Sequence, residues 1–348
     1  MFSGVEIDML SLGDADSMLV SYWNGSSSAY RVLIDGGNKG DAPEVRGLLR
    51  NLNISTVDEV FSTHLHDDHS GGLIELLADT TLTFGKLWCH IPQWHVESME
   101  KVNTALRAAG TSEEAESIRK SLATAAAIYK IAKDRKIPHD EPFVGKATGL
   151  LQILSPTEDF YRGLVAEFAE ADEIKAEDAA NLRYAVETAM DEAFFKAGLL
   201  GGSSLLTDPH TDPENESSVV SGFTYSGAAY LFTADAGTSA LTNVVSSFQL
   251  ATLRWMQIPH HGSRRNLTES LIEKLAPKTA YVSASGNDKH PRRAVVNAFK
   301  KLGTNVYSTH YPNGSHLHHQ MGTVPTRDGY VPATPLWEAK ELAKAAGG

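Results

Sequence analysis

Two halves, each opening with paired strands and continuing in strand–helix alternation, predict an α/β chain folded as an αββα sandwich with a helical insertion. Three observations carry that expectation: a period-two apolar pattern that recurs in both halves, helical periodicity between those strands, and a middle region in which helical periodicity dominates.

The stretches VEIDMLSL, SMLVSYW and AYRVLIDGG alternate apolar and polar residues and are rich in β-branched and aromatic types, with turns at GDAD and NGSS. They read as an opening meander. APEVRGLLRNL then reads as a helix, VDEVFSTH as a buried strand and GGLIELLAD as a second helix. From about residue 94 to residue 199 the period changes to that of helices, with Ile118, Leu122, Ala125 and Tyr129 on one face and Leu182, Val186, Met190 and Phe194 on another. A short strand, GLLQILSP, interrupts this region, which is expected to be an insertion or cap within one domain spanning 1–348. After a turn-rich loop the strand pattern returns in SSVVSGFTY, AAYLFTADAG, LRWMQIP, TAYVSAS and TNVYST, with helices between them. LWEAKELAKAAGG reads as an amphipathic terminal helix.

Composition narrows the function. With 42% hydrophobic and 21% charged residues the 348-residue chain belongs with globular proteins. Its net charge of -12 argues against a general basic surface that coats nucleic acid, though a local basic pocket is compatible with it. Cys89 is the only cysteine, which excludes an intramolecular disulfide and thiolate metal clusters. The start has no basic and apolar leader pattern and no run reaches the length of a membrane span, so no membrane partner and a cytoplasmic location are expected.

The chemistry concentrates in THLHDDHSGG, where His64, His66, Asp68 and His69 follow the pattern H-x-H-x-D-H. If the strand continues through His66, its period of two turns the imidazoles of His64 and His66 to one side, where both can reach a single ion. Asp68 and His69 then fall on the following turn and can serve a second. Imidazole and carboxylate without thiolate suit zinc, manganese or iron.

That stretch resembles the signature of the metallo-β-lactamase superfamily. SLGDADSMLV, VLIDGG, NESSVV, LFTADAG, IPHHGS and SASGNDKHP are similar, in the same order, to segments of its ComEC-like metallo-hydrolase branch. The resemblance implies a metallo-β-lactamase-like fold and two divalent ions, zinc or manganese, held by His64, His66, Asp68, His69, Asp235 and His261. Asp235 would bridge the two ions, and His261 rather than His260 is the expected ligand of the second, with the reverse assignment left open. Asp35 would orient the site by accepting the other N–H of a ligating histidine. Many relatives carry a further histidine before the bridging aspartate. Here His90, His95, His139 and His210 are available by order, none in a matching context; Asn215 is placed as in the branch, so that a carbonyl or water could fill the vacancy.

Such a pair of ions generates a bridging hydroxide nucleophile near neutral pH. Asp68 is the expected catalytic group that orients it or takes its proton, and His290 the group that binds substrate or protonates the leaving group. His260, Ser263 and Arg264 are expected to bind substrate. Arg264, Arg265, Lys289, Arg292 and Arg293 form a local basic grouping in an acidic chain, which suits an anionic phosphodiester, nucleic acid included. The leading expectation is a two-metal phosphodiesterase or nuclease acting on DNA, RNA or a nucleotide, with bacterial DNA processing or antiviral defence as the setting. The alternatives are a carboxyl ester, thioester or lactam hydrolase, marked by an apolar pocket, and a non-catalytic binding or scaffold module with a degenerate metal site. The insertion would cap the pocket or dock a protein partner. STHYPNGSHLHHQ, with four histidines but no carboxylate at ligand spacing, reads as a solvated loop.

Overall fold

Alternating apolar residues send side chains to both faces of a strand, and in this protein both faces are buried. The computed structural model of the protein describes residues 2–25, 28–168, 205, 209–248, 250, 253–287, 289–327 and 333–336. Its strands are β1 (Gly4–Met9), β2 (Met18–Asn24), β3 (Ser28–Ile34), β4 (Thr56–Ser62), β5 (Thr83–Cys89), β6 (His139–Asp140), β7 (Gln152–Ser155), β8 (Val220–Tyr225), β9 (Ala228–Phe232), β10 (Leu253–Gln257), β11 (Thr279–Val282), β12 (Asn305–Ser308) and β13 (Leu317–Gly322). They form one sheet in the order β13-β1-β2-β3-β4-β5-β6 and a second in the order β12-β11-β10-β9-β8-β7.

The helices are α1 (Ala42–Asn51), α2 (Asp67–Ala78), α3 (Val96–Ala109), α4 (Glu113–Asp134), α5 (Glu158–Glu167), α6 (Pro213–Glu216), α7 (Thr238–Ser247), α8 (Glu269–Leu275) and α9 (Arg293–Lys301). Ile7, Val20, Val32 and Phe61 of the first sheet share a core with Tyr230, Phe232, Trp255 and Tyr281 of the second. Their sequence neighbours face the other way. Leu19, Leu33, Val60 and Leu87 pack under Val45, Leu73, Leu76 and Ile128 of α1, α2 and α4. Leu231, Met256 and Val282 pack under Leu241, Ile272 and Phe299 of α7, α8 and α9. Helix, sheet, sheet, helix is therefore the layer order, as the period-two patterns require.

Three details differ from the sequence reading. The strand before the histidine cluster stops at Ser62, and α2 starts at Asp67 with His66 at its N-cap. Asp68 and His69 thus lie in the first helical turn, and alternation along a strand is not what brings His64 and His66 together. The four-histidine segment is not a solvated loop throughout: Leu317–Gly322 pairs antiparallel with β1, and His318 Nδ1 lies 2.8 Å from Asp8 Oδ1. The carboxylate comes from a neighbouring strand, not from local spacing. Within residues 94–199, β6 joins the first sheet and β7 the second, while α3, α4 and α5 share a small core of their own that includes Val102, Ile118 and Tyr161. The face expected at Leu182, Val186, Met190 and Phe194 and the terminal helix lie outside the described residues. Among the described residues no helix is long and apolar enough to cross a membrane.

Parallel strands β3, β4 and β5 all point their C-terminal ends at one edge of the sandwich, and so do β9, β10 and β11. Loops at such an edge are where α/β sheets build sites. There α2 is seated on the turn after β3: Gly36 N donates to His69 O at 2.8 Å, and Gly72 N to Gly37 O at 2.9 Å. A Cβ on Gly72 would run into the carbonyl of Gly36. Gly72→Ala is accordingly expected to destabilise the fold by about 1–3 kcal/mol, as overpacking against backbone does. Chemical denaturation checks this, and an unchanged midpoint would show that the helix and turn can part freely.

Candidate metal centre

Asp35 follows β3 in the left-handed region at φ 59°, an uncommon conformation for a non-glycine residue, which aims its carboxylate into the protein. That carboxylate accepts the backbone N–H of Thr63 at 2.8 Å, the Thr63 hydroxyl at 2.6 Å and His69 Nδ1–H at 2.8 Å. The Thr63 oxygen in turn lies 3.3 Å from His64 Nδ1. One buried carboxylate therefore sets both rings with their Nε2 atoms inward. Neither Nε2 has a hydrogen-bond partner in the protein.

Asp235, on the turn after β9, meets them from the other sheet. Its Oδ1 lies 3.2 Å from His69 Nε2 and its Oδ2 lies 4.0 Å from His64 Nε2. His261, after β10, donates Nδ1–H to Ser283 O at 3.0 Å, which turns its Nε2 to within 3.3 Å of Asp68 Oδ2. His260 sits beside it with Nδ1 on Asn266 Oδ1 at 3.0 Å and Nε2 3.7 Å from Asp235 Oδ2. Both histidines of IPHHGS face the centre, His261 buried and His260 half-buried. Both have positive φ, at 48° and 51°, followed by Gly262 at 82°. Consecutive left-handed residues are strained, and such strain gathers where a site dictates the backbone.

The geometry adds a residue that sequence reasoning missed. Asp16, Asp235, His69 and His261 place ligand atoms all within 4.8 Å of one another. Asp16 is fixed by Gln257 Nε2, which donates to its Oδ2 at 2.8 Å, while Gln257 Oε1 accepts the backbone N–H groups of Thr233 and Ala234. Its only sequence signal was its place in the GDADS turn. Burial pushes the Asp16 pKa up to about 6, against the pull of His261 and His69. Unpartnered inward nitrogens, unpartnered carboxylate oxygens on Asp16 and Asp235, and no thiol make a donor set that fits divalent cations.

The remaining expected residues divide. His66 lies at the side of the centre, its ring 4.8 Å from that of His64. His290 is at the mouth, its ring 5.5 Å from His261 and 5.7 Å from His260, with Nδ1 3.6 Å from Asp14 Oδ2. Burial works against the charge on Asp14, yet His290 and the N–H of Ser285 hold its carboxyl below the usual range. Ser263 is buried and its Oγ accepts Arg265 N–H at 3.2 Å. Arg264 is among the largest fully buried side chains and does not present its charge to solvent. Arg292 is buried too, which leaves Arg265, Lys289 and Arg293 of the basic grouping at the surface. Of the histidines that could have completed the first ion's shell, His90 and His95 gather on Glu141, His139 packs against Tyr129, and His210 is exposed.

Residues 14–106 match the sequence profile of the metallo-beta-lactamase superfamily. Over that stretch the chain is similar to that superfamily. A stretch of 126 residues, 36% of this chain, is 28% identical to ComE operon protein 3 of Bacillus subtilis (strain 168), of which it spans 16%. Solved structures of similar architecture include the metallo-beta-lactamase fold protein YhfI from Bacillus subtilis, at 10% identity and TM-score 0.45 over 91% of this chain and 100% of that one. Another is Tm1679, a metal-dependent hydrolase of the beta-lactamase superfamily, at 12% identity and TM-score 0.43 over 92% and 100%. In this chain the buried histidine–aspartate cluster stands at the shared edge of the two sheets.

Two outcomes test this candidate centre. Asp35→Ala removes the acceptor that sets His69 and, through Thr63, His64; metal affinity is expected to fall about 10- to 100-fold in a chelator competition titration. Burial disfavours charge on His66 and His261, but Glu214 and Asp212 raise the former to about 9, and Asp68 and Asp235 raise the latter to about 9. Since an ion must displace those protons, apparent affinity should climb about tenfold per pH unit per proton up to about pH 9. By the same linkage, the stabilisation from these raised values is complete below pH 6.5 and fades through pH 9 in the metal-free protein. A pH-independent affinity would contradict this.

Proposed function

We propose that the metal-dependent hydrolase chemistry of this superfamily is directed here at phosphodiesters, in a nucleic acid or a nucleotide. The observation that carries this reading is the character of the mouth. Around the buried cluster the partly exposed side chains are Asp14, His66, Asp68, His260 and His290, with Lys289 and Arg293 exposed on either side of His290 in sequence. Three imidazoles with two flanking cationic side chains suit an anionic group, the two carboxylates among them being balanced once divalent ions fill the cluster, whereas an acyl substrate such as a lactam or thioester calls for an apolar wall.

His64, His66, Asp68, His69, Asp235 and His261 are the proposed holders of two divalent ions, with Asp16 beside them. Bound there, zinc or manganese would supply water activation near neutral pH and neutralise charge at the phosphoryl oxygens. The chain's own groups do the rest. Asp68, one third exposed, has its carboxyl held in the ionised form by His69 and His261 against the cost of burial, so it can orient the attacking water and accept its hydrogen bond. His290, with Nδ1 3.6 Å from Asp14, is placed to hand a proton to the leaving oxygen, a role that Asp14 favours against the burial that lowers the imidazole pKa, and His260 is placed to hold a non-bridging oxygen. Ser263 and Arg264 act in this reading as parts of the loop that carries His261, not as substrate contacts.

The test is hydrolysis of bis-p-nitrophenyl phosphate beside single-stranded and duplex DNA, RNA and cyclic dinucleotides, with zinc, manganese or magnesium. Metal-dependent cleavage is expected, lowered at least 10³-fold by Asp68→Ala and about 10²-fold by His290→Ala. No turnover on any of them by metal-loaded protein, together with cleavage of a lactone or thioester, would move the assignment to acyl substrates.

A further inference from the structure

The first ion's missing histidine has a replacement one residue from the position that the sequence drew attention to. Asn215 is engaged in capping α6: its backbone N–H and its Nδ2 bond Asp212 at 2.8 Å and 2.7 Å, and Nδ2 also reaches Thr211 Oγ1 at 3.2 Å. Its neighbour Glu214 points the other way. Glu214 Oε2 lies 3.3 Å from His66 Nε2, its side chain is 8% exposed, and its Oε1 is buried with no hydrogen-bond partner in the protein. The segment is fixed to the histidine loop, because Val219 N donates to Thr63 O at 3.0 Å, immediately before His64.

We infer that Glu214 is a metal ligand that completes the shell of the ion beside His64 and His66. Two donors sharing a divalent ion at bond lengths of about 2.0–2.2 Å stand about 3–3.5 Å apart. The Glu214–His66 pair has that spacing, as do His69 with Asp235 at 3.2 Å and His261 with Asp68 at 3.3 Å. An ordinary ion pair would leave no reason for a second, buried carboxylate oxygen without a partner. With Glu214 in place the ion has two imidazoles and two carboxylates, Asp235 being the other. That set is harder than the three imidazoles and one carboxylate of relatives with the extra histidine, and it favours manganese or ferrous iron over zinc relative to them.

The inference rests on the two-ion reading above, and the experiment separates the two. Full-length protein is stripped with chelator, dialysed against Mn(II) or Zn(II), and assayed by elemental analysis and Mn(II) EPR, with no substrate present. Wild type should hold two ions per chain and show the spectrum of a coupled manganese pair. Glu214→Gln should keep one ion tightly, bind the other at least tenfold more weakly and show an isolated manganese signal. Glu214→His should again hold two ions while shifting preference toward zinc, which also answers any loss of folding in the glutamine variant. Two ions with wild-type affinity and a coupled signal in Glu214→Gln would overturn the ligand assignment alone; fewer than two ions in wild type would overturn the two-ion reading and the assignment with it.

Discussion

The site depends on a buried negative charge at Asp35. Its carboxylate takes three hydrogen bonds from one loop and one helix, and those bonds decide which nitrogens of His64 and His69 look inward. A buried carboxylate without such partners would be expensive, so Asp35 holds the histidine loop as firmly as the loop satisfies Asp35. The left-handed turn of Asp35 and the glycines after it let α2 approach the end of β3 closely enough for this exchange.

The second sheet repeats the arrangement by different means. Gln257, a neutral amide on β10, clasps the two N–H groups at the end of β9 and the carboxylate of Asp16, so the turn that carries Asp235 is fixed without a charge. Asn266 does the same for His260, accepting its N–H while donating to Asp235 O at 2.8 Å. His64, His69, Asp16 and His260 are thus each oriented by a neighbour with several hydrogen bonds of its own, which is how a cluster of titratable groups can be kept within a few ångströms of one another.

Much of this was legible in the sequence because its signals are local. Six consecutive residues hold four potential ligands, and Asp235, His261 and Asp35 each end an apolar strand pattern, so order along the chain was enough to find them. Glu214 and Asp16 were not legible in the same way. Each is one acid in a turn rich in acids and small residues, and what distinguishes it is burial against an imidazole contributed from elsewhere. Arg264 misled for the complementary reason: a run of basic residues does not tell which guanidinium points inward. His318 shows the same limit, since its carboxylate partners lie on β1, at the other end of the chain.

That pairing of β13 with β1 bears on how the protein comes into being. β1 is synthesised before every other described strand, yet the neighbour that covers its outer edge is made only after the whole second sheet. Until then a buried-type strand waits with one row of backbone groups open, and the histidine cluster waits for an aspartate from a distant turn. Long-range closures of this kind are slow and leave an adhesive edge in the interval. Assembly of the histidine–aspartate cluster is therefore a late event in the life of the chain, reached only by molecules whose two halves have already met.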